Sequence, residues 1–276
     1  MSKGVLLDLT KCIGCGSCTV ACKLWNETKF DGKRPATGDQ PKLTSENWTT
    51  VKRCEVVADS QSAWRFVKEQ CLHCEHPACA SACFSKALQK TPDGPVIYYP
   101  HLCVGCRYCM VACPFNIPKY EWEKALPLVA KCQMCSSKIA QGEAPACVSV
   151  CPTGVMKFGD RQTLLEEAKA TIAANRNYVQ TIYGEKEVGG TAWLYISDVP
   201  FAELGFKTGL TTKALPEYTH GGFLKYTPYI AIGWGAILSG LYLYTKRRKE
   251  NSGIKLADNT KQKNTDSNKN NQTLGK

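Results

Sequence analysis

Apolar residues in the first two hundred positions come in short runs between glycines, prolines and cysteines. The runs at 5–9, 64–68, 96–99 and 155–158 predict strands, and Pro92-Asp93-Gly94 supplies a hairpin turn before Val96. Residues 192–196, with Trp193 and Tyr195, predict another strand. Asp160 stands where a helix cap belongs, and Leu164, Leu165, Ala168 and Ile172 then recur on one helical face. Residues 23–70 contain Gly and Pro and predict a long surface excursion, with Trp48 and Trp64 packing it down.

A different pattern closes the chain. Residues 226–245 are 20 positions without a charge, enough for a helix to cross a hydrocarbon core of ~30 Å. Tyr226, Tyr229, Tyr242 and Tyr244 mark the two ends, and Lys246, Arg247, Arg248 and Lys249 follow at once. The expectation is a single transmembrane helix over 223–245, with Gly233, Ala236 and Gly240 on one face for close helix packing. A basic stop belongs in the cytoplasm, so the residues before it are expected outside the cytoplasmic membrane. Residues 1–10 hold one short apolar run, too short for a signal core, so export is expected to depend on a partner carrying a twin-arginine signal. Residues 246–276, basic and rich in Asn, Lys, Gln, Ser and Thr, are expected to be disordered.

Composition sharpens this in one respect. Hydrophobic residues make up 43% of the 276 and charged residues 21%, proportions that exclude wholesale disorder, but 17 cysteines far exceed what a core needs. An odd number leaves one thiol over in a disulfide framework, and no secretory signal leads the chain, so disulfides are set aside. Sixteen of the cysteines fall into four groups of four. Cys12, Cys15, Cys18 and Cys22 read C-x2-C-x2-C-x3-C, as do Cys103, Cys106, Cys109 and Cys113, which Pro114 follows. Cys71, Cys74, Cys79 and Cys83 widen the middle gap to four residues. Cys132, Cys135, Cys147 and Cys151 widen it to eleven, with Pro152 next.

This run is the ligand set of bacterial two-cluster ferredoxins, in which the fourth thiolate reaches the neighbouring cluster. Zinc sites use two C-x2-C pairs rather than four ligands in a row closed by proline. Four [4Fe-4S] clusters are therefore expected. The second and third groups are 19 residues apart, a compact repeat, whereas 48 residues separate the first from the second. The economical topology nests one double-cluster unit inside another. Cys54 stands outside the groups as a half-buried thiol. Cluster charge also alters the meaning of the net +11. Residues 246–276 hold nine Lys/Arg and three Asp/Glu, which leaves +5 for residues 1–245. Four cubanes at about −2 each turn that surplus slightly negative. Nucleic-acid binding is not implied.

The four-group pattern resembles the iron–sulfur subunits of the molybdopterin oxidoreductase superfamily. The resemblance rests on GCRYCMVACPFNIPKY (105–120), QCLHCEHPAC (70–79), KCQMCSSKIAQGEAPACVSVCPTG (131–154) and YGEKEVGGT (183–191). A carboxyl-terminal span points to two branches, respiratory formate dehydrogenase beta subunits and the ferredoxin-like subunit of type-2 nickel–iron hydrogenases. The resemblance implies one cluster on Cys12, Cys15, Cys18 and Cys151, and its neighbour on Cys22, Cys132, Cys135 and Cys147. It implies a third on Cys71, Cys74, Cys79 and Cys113, and a fourth on Cys83, Cys103, Cys106 and Cys109. Lys23 and Phe84 depart from the proline that often follows the fourth ligand.

The expected fold is α+β: two nested bacterial-ferredoxin-like double-cluster units plus the C-terminal helix. Its expected segments are 1–70 (first motif and insertion), 71–120 (inserted unit), 121–222 (fourth motif and extension), 223–245 and 246–276. The resemblance implies a non-catalytic electron-transfer subunit. Its partners would be a molybdopterin or nickel–iron catalytic subunit and a quinone-reactive or cytochrome b membrane subunit. No catalytic nucleophile, pterin-binding domain or haem C-x-x-C-H is read in the chain, and a stand-alone redox sensor would need an output domain. His73 and His76 are expected as polar neighbours of the clusters rather than ligands, and His220 as an interfacial histidine. Anaerobically purified protein should carry about sixteen iron and sixteen acid-labile sulfide per chain. About twelve iron with a three-iron paramagnetic signal would remove one cluster, and bound zinc would remove the class.

Overall fold

The computed structural model describes residues 2–30, 40–58 and 61–272. Residues 1–218 form one unit and residues 219–276 a second. In chain order the first carries β1 (Lys3–Asp8), α1 (Ser17–Asn26), β2 (Thr49–Ala58), β3 (Gln61–Gln70), α2 (Ala78–Ser81), β4 (Leu88–Lys90) and β5 (Val96–Tyr98). There follow α3 (Tyr108–Ala112), β6 (Lys119–Tyr120), β7 (Val129–Ala130), α4 (Ser136–Ala140) and α5 (Ala146–Ser149). The unit closes with β8 (Met156–Asp160), α6 (Arg161–Ala174), β9 (Trp193–Ile196) and α7 (Leu215–Tyr218). The mixed helix and strand content is the α+β class expected.

Val5, Leu6 and Leu7 are all buried, so β1 has the burial of a central strand covered on both faces. It lies between β8, antiparallel with Leu7 opposite Met156, and β9, parallel with Val5 opposite Trp193. One face meets α6, whose Leu164, Leu165, Ala168 and Ile172 pack on Leu6, Leu194 and Ile196. The other face carries Val5, Leu7, Met156, Trp193 and Tyr195 toward the cysteine loops and the β2–β3 hairpin. Asp160 occupies the N-cap of α6 but does not cap it. Its carboxylate instead accepts from Lys3 Nζ at 2.9 Å, locking the end of β8 to the start of β1.

Strand pairing also decides which cysteine groups meet. β1 runs into the first group and β8 leaves the fourth, so their ladder joins two ends of the chain that are far apart in sequence. Within this unit α1 packs on α5, and α2 on α3. The β4–β5 hairpin, Leu88 opposite Tyr98, links the second group directly to the third.

The insertion departs from its expected character. β2 and β3 pair over ten residues each, from Thr49 opposite Gln70 outward, and bury Val56, Val67, Lys68 and Gln70. This hairpin is part of the core rather than a surface excursion. Trp64 does not pack it down: the ring is 45% exposed and carries the Arg53 guanidinium 4.4 Å from its centroid. Cys54 is half-buried, with its sulfur 3.6 Å from the Leu204 carbonyl oxygen.

In the second unit a π-helical turn, Thr219–Phe223, leads into α8 (Leu224–Gln272). Among the described residues no helix is long and apolar enough to cross a membrane. The span expected over 223–245 is corrected accordingly. Four tyrosines, three glycines, two threonines, Pro228 and Ser239 occupy more than half of 226–245, so a segment without charge is still only moderately apolar. The tail is also not disordered as expected, because the helix continues to Gln272. After Pro228 no proline interrupts it, and the helix continues although Asn, Ser, Thr, Asp and Gly, weak helix formers, make up most of 251–272. Residues 273–276 and the side chain of His220 lie outside the described residues.

Candidate metal centres

The four cysteine groups share one local conformation. Gly14, His73, Gly105 and Met134 each precede the second cysteine, and all have positive φ, between 49° and 71°. The third cysteine is in every case the second residue of a short helix: Cys18 in α1, Cys79 in α2, Cys109 in α3 and Cys147 in α5. The fourth follows one turn later. In three groups a tight turn comes next, with Lys86, Asn116 or Gly154 at positive φ donating its N–H to the carbonyl of the fourth cysteine. Phe84 therefore makes the turn without proline. The first group differs, since α1 runs on through Lys23 to Asn26. Gly14 is required sterically as well, because a Cβ there would stand 2.3 Å from the Phe66 ring.

Tertiary packing then sorts the sixteen thiols. Cys12, Cys15, Cys18 and Cys151 line one small cavity, together with Gly14, Gly16 and Lys68. Cys22, Cys132, Cys135 and Cys147 line a second, together with Trp193 and, again, Lys68. In the inserted region burial raises the Cys74 thiol well above its usual range, and the charges of Cys71, Cys79 and Cys113 add to the effect. Burial likewise pushes Cys109 up to about 11, aided by Cys103, Cys106 and Cys83. Neighbouring quartets touch electrostatically: Cys18 with Cys147, Cys132 with Cys71, and Cys79 with Cys109. Only Cys15 and Cys106 are exposed.

Burial raises Cys22 to about 11 and Cys79 to about 12, so the interior disfavours bare thiolates there. A coordinating metal reverses that preference by displacing the protons. Among the described residues no three His, Cys, Asp or Glu side chains stand close enough to share one ion. The wider spacing of the quartets would suit a group of several atoms rather than a single ion. Three buried polar groups have no hydrogen-bond partner among the described residues: Thr50 Oγ1, Trp193 Nε1 and His73 Nε2. Trp193 lines the second cavity. His73 Nδ1 accepts from the Val96 N–H at 2.8 Å, and burial with nearby lysines keeps the ring neutral, so its proton sits on Nε2. A cluster rich in sulfide acceptors fits such orphaned donors. His76, expected beside the cysteines, is exposed.

Lys68 is the feature that sequence reasoning missed. Burial opposes its charge, and any negative charge on the nearby sulfurs of Cys147, Cys18, Cys132 and Cys22 favours the ammonium and raises its pKa. In sequence it reads as one more polar residue on an alternating strand. Nothing local marks it or Trp193 as facing the cysteines.

Loops of this form, carrying thiols in quartets, define a ferredoxin-type iron–sulfur protein. Residues 62–161 match the 4Fe-4S dicluster domain and residues 3–24 the 4Fe-4S binding domain. A protein of Nitratidesulfovibrio vulgaris is 43% identical over 95% of this chain and 71% of its own length. The hydrogenase-2 operon protein HybA of Escherichia coli is 30% identical over 91% of this chain and 86% of its own length. The nitrate-inducible formate dehydrogenase iron–sulfur subunit of Escherichia coli is 36% identical over 69% of this chain and 66% of its own length. The chain belongs to this family of 4Fe-4S dicluster iron–sulfur subunits.

Two glycine substitutions separate steric from conformational demands on the first loop. Gly16→Ala meets nothing within 4 Å, so it should cost only the left-handed backbone penalty of about 1–2 kcal/mol. Gly14→Ala adds a clash with Phe66 worth about 1–3 kcal/mol more. Anaerobic chemical denaturation of the two variants measures the difference.

Proposed function

We propose that this chain is a non-catalytic electron-transfer subunit holding four [4Fe-4S] clusters. It would work between a formate dehydrogenase-like molybdopterin subunit and a membrane quinone or cytochrome b partner. The observation that carries the proposal is the order of the thiol quartets. Cys12, Cys15, Cys18 and Cys151 adjoin Cys22, Cys132, Cys135 and Cys147; these adjoin Cys71, Cys74, Cys79 and Cys113; and these adjoin Cys83, Cys103, Cys106 and Cys109. Each cluster bound there would supply a one-electron couple. The exposed thiols fall in the two end quartets, Cys15 in one and Cys106 in the other, while the middle quartets are enclosed. Exposed Ile13 borders the first end, and exposed Phe84, Val104, Tyr108 and Val111 border the second. Such apolar rims suit partner docking.

A nickel–iron hydrogenase partner is the second reading. It is favoured by the extent of the match to HybA, which covers more of both chains than does the formate dehydrogenase subunit. We further propose that the cluster-bearing residues lie on the outer face of the cytoplasmic membrane. The charge-free part of α8, only moderately apolar, suits packing against the helices of a membrane subunit, with Gly233, Ala236 and Gly240 allowing close approach.

Anaerobic purification of the native complex should bring down a large partner containing molybdenum or, on the second reading, nickel. A chain that purifies alone with full cluster content would sink the subunit role. Protease added to cells with a permeabilised outer layer should cut residues 1–218; protection of these residues until the cytoplasmic membrane is opened would place them on the inner face. Cys151→Ser should disturb the cluster held by Cys12, Cys15 and Cys18, whereas Cys54→Ser should leave every cluster signal intact. Damage confined to the cluster of Cys132 and Cys135 would refute the nested ligand sets.

A further inference from the structure

Lys68 is 3% exposed and lines both of the cavities formed by the first and fourth cysteine groups. Its ammonium donates to Thr49 Oγ1 at 2.7 Å and to Gln70 Oε1 at 2.9 Å. Gln70 is itself fixed, since its amide donates to the Tyr195 hydroxyl at 2.6 Å. The ammonium also lies 4.7 Å from the centroid of the Trp193 ring. None of these partners is an anion. A buried cation without a counter-charge is costly, and the protein supplies only neutral acceptors to this one. The missing negative charge must come from what fills the two cavities. Trp193 differs: it lines only the second cavity, where its Nε1–H has no partner.

We propose that Lys68 is a shared counter-cation that sets the reduction potentials of two adjacent clusters at once, while Trp193 tunes only one of them. The inference rests on the cluster assignment proposed above. Reduction adds one electron to a cluster and makes it more negative by one unit. Lys68 donates to two oxygen acceptors and faces an aromatic ring, the contacts of an ammonium, so it would act as a fixed charge that favours the reduced form on both sides. The Trp193 N–H stabilises extra charge on the sulfur of the Cys22, Cys132, Cys135 and Cys147 site alone. Both are positioning residues, and neither is a ligand.

The test is an anaerobic redox titration of the full chain in its native complex, followed by electron paramagnetic resonance, with iron and sulfide measured in every variant. Signals are assigned through Cys151→Ser and Cys147→Ser. Lys68→Met should lower the reduction equilibrium constant of both clusters at least tenfold, which is about 59 mV each for a one-electron couple. Lys68→Arg should restore both. Trp193→Phe should lower the second cluster only, and the clusters of the inserted region should not move in any variant. Unchanged potentials in Lys68→Met with full iron content, or a shift at one cluster alone, would overturn the shared role. Should Lys68→Met fail to assemble, Trp193→Phe and Lys68→Arg decide: an unmoved second cluster in the former, or a loss of potential despite the retained charge in the latter, would refute the inference. Wild-type protein without clusters would instead refute the functional proposal beneath it, a result that the iron content alone distinguishes.

Discussion

The ladder between β1 and β8 is the constraint on which the rest of the unit depends. It joins residues 3–7 to residues 156–160, so the loop after β1 and the loop before β8 are forced side by side. Burial on both faces makes the register of β1 unforgiving, because a slip of one residue exchanges Leu6 for Leu7 and turns the α6 face toward the cysteines. The Lys3–Asp160 pair marks the end of that register but is more than a third exposed, so it contributes little energy. Hydrophobic burial of Val5, Leu7, Met156 and Trp193 does most of the holding. With the outer ends closed in this way, everything from the second group to the third is confined to the middle, where the β4–β5 hairpin folds it by short-range contacts.

Local signals in the sequence were strong where periodicity and burial coincide. The face of α6 formed by Leu164, Leu165, Ala168 and Ile172 is the one that packs, and the strands at β1, β5, β8 and β9 lie where apolar runs occur. Cysteine spacing also marked out four equivalent loops, because the chemistry of wrapping a cubane dictates both the spacing and the backbone. Long-range features were not legible. The hairpin of β2 and β3 carries Lys52, Arg53, Glu55, Arg65, Lys68 and Glu69, so it reads as solvent-facing, and only the tertiary fold shows Lys68 and Gln70 turned inward. Asp160 has the residue type of a cap, yet Lys3 competes for its carboxylate, and no local rule anticipates that partner. Absence of charge in 226–245 suggested a span, but tyrosine and glycine content governs how apolar a stretch is, and here it is too high.

The interior of this unit is rich in buried lysines and in buried donors without a partner among the described residues. Lys23, Lys68 and Lys131 are all buried, and Lys131 is held by backbone oxygens, including that of Cys132 at 2.8 Å. Lys90 donates to the Cys74 carbonyl at 3.0 Å and pairs with Glu75. Lysine is almost never fully buried unless it is paired, and carbonyl dipoles offset an ammonium only in part. A set of anionic clusters totalling about −8 would supply the balance. The +5 carried by residues 1–245 is therefore more informative by its location than by its size. Lys68 lines two of the thiol cavities, and Lys90 and Lys131 reach cysteine carbonyls, a placement that suits charge being added to and removed from a low-dielectric interior.

Exposure of Cys15 and Cys106 follows from the same geometry. Both belong to the groups with two-residue gaps, and both second gaps open on a left-handed residue, Gly16 or Arg107, that starts the helix. So short a loop cannot lay a side chain over its own second cysteine. The wider gap in the second group and the α4 insertion in the fourth bring more chain over Cys74 and Cys135, which are correspondingly better enclosed. Spacing between the second and third cysteines thus separates covered thiols from open ones, and the proposed nesting would put one open site at each end of the series. On the proposed assignment, an interior cluster insulated from water and an end cluster reachable by a partner would require no different ligands, only a different number of residues in one gap.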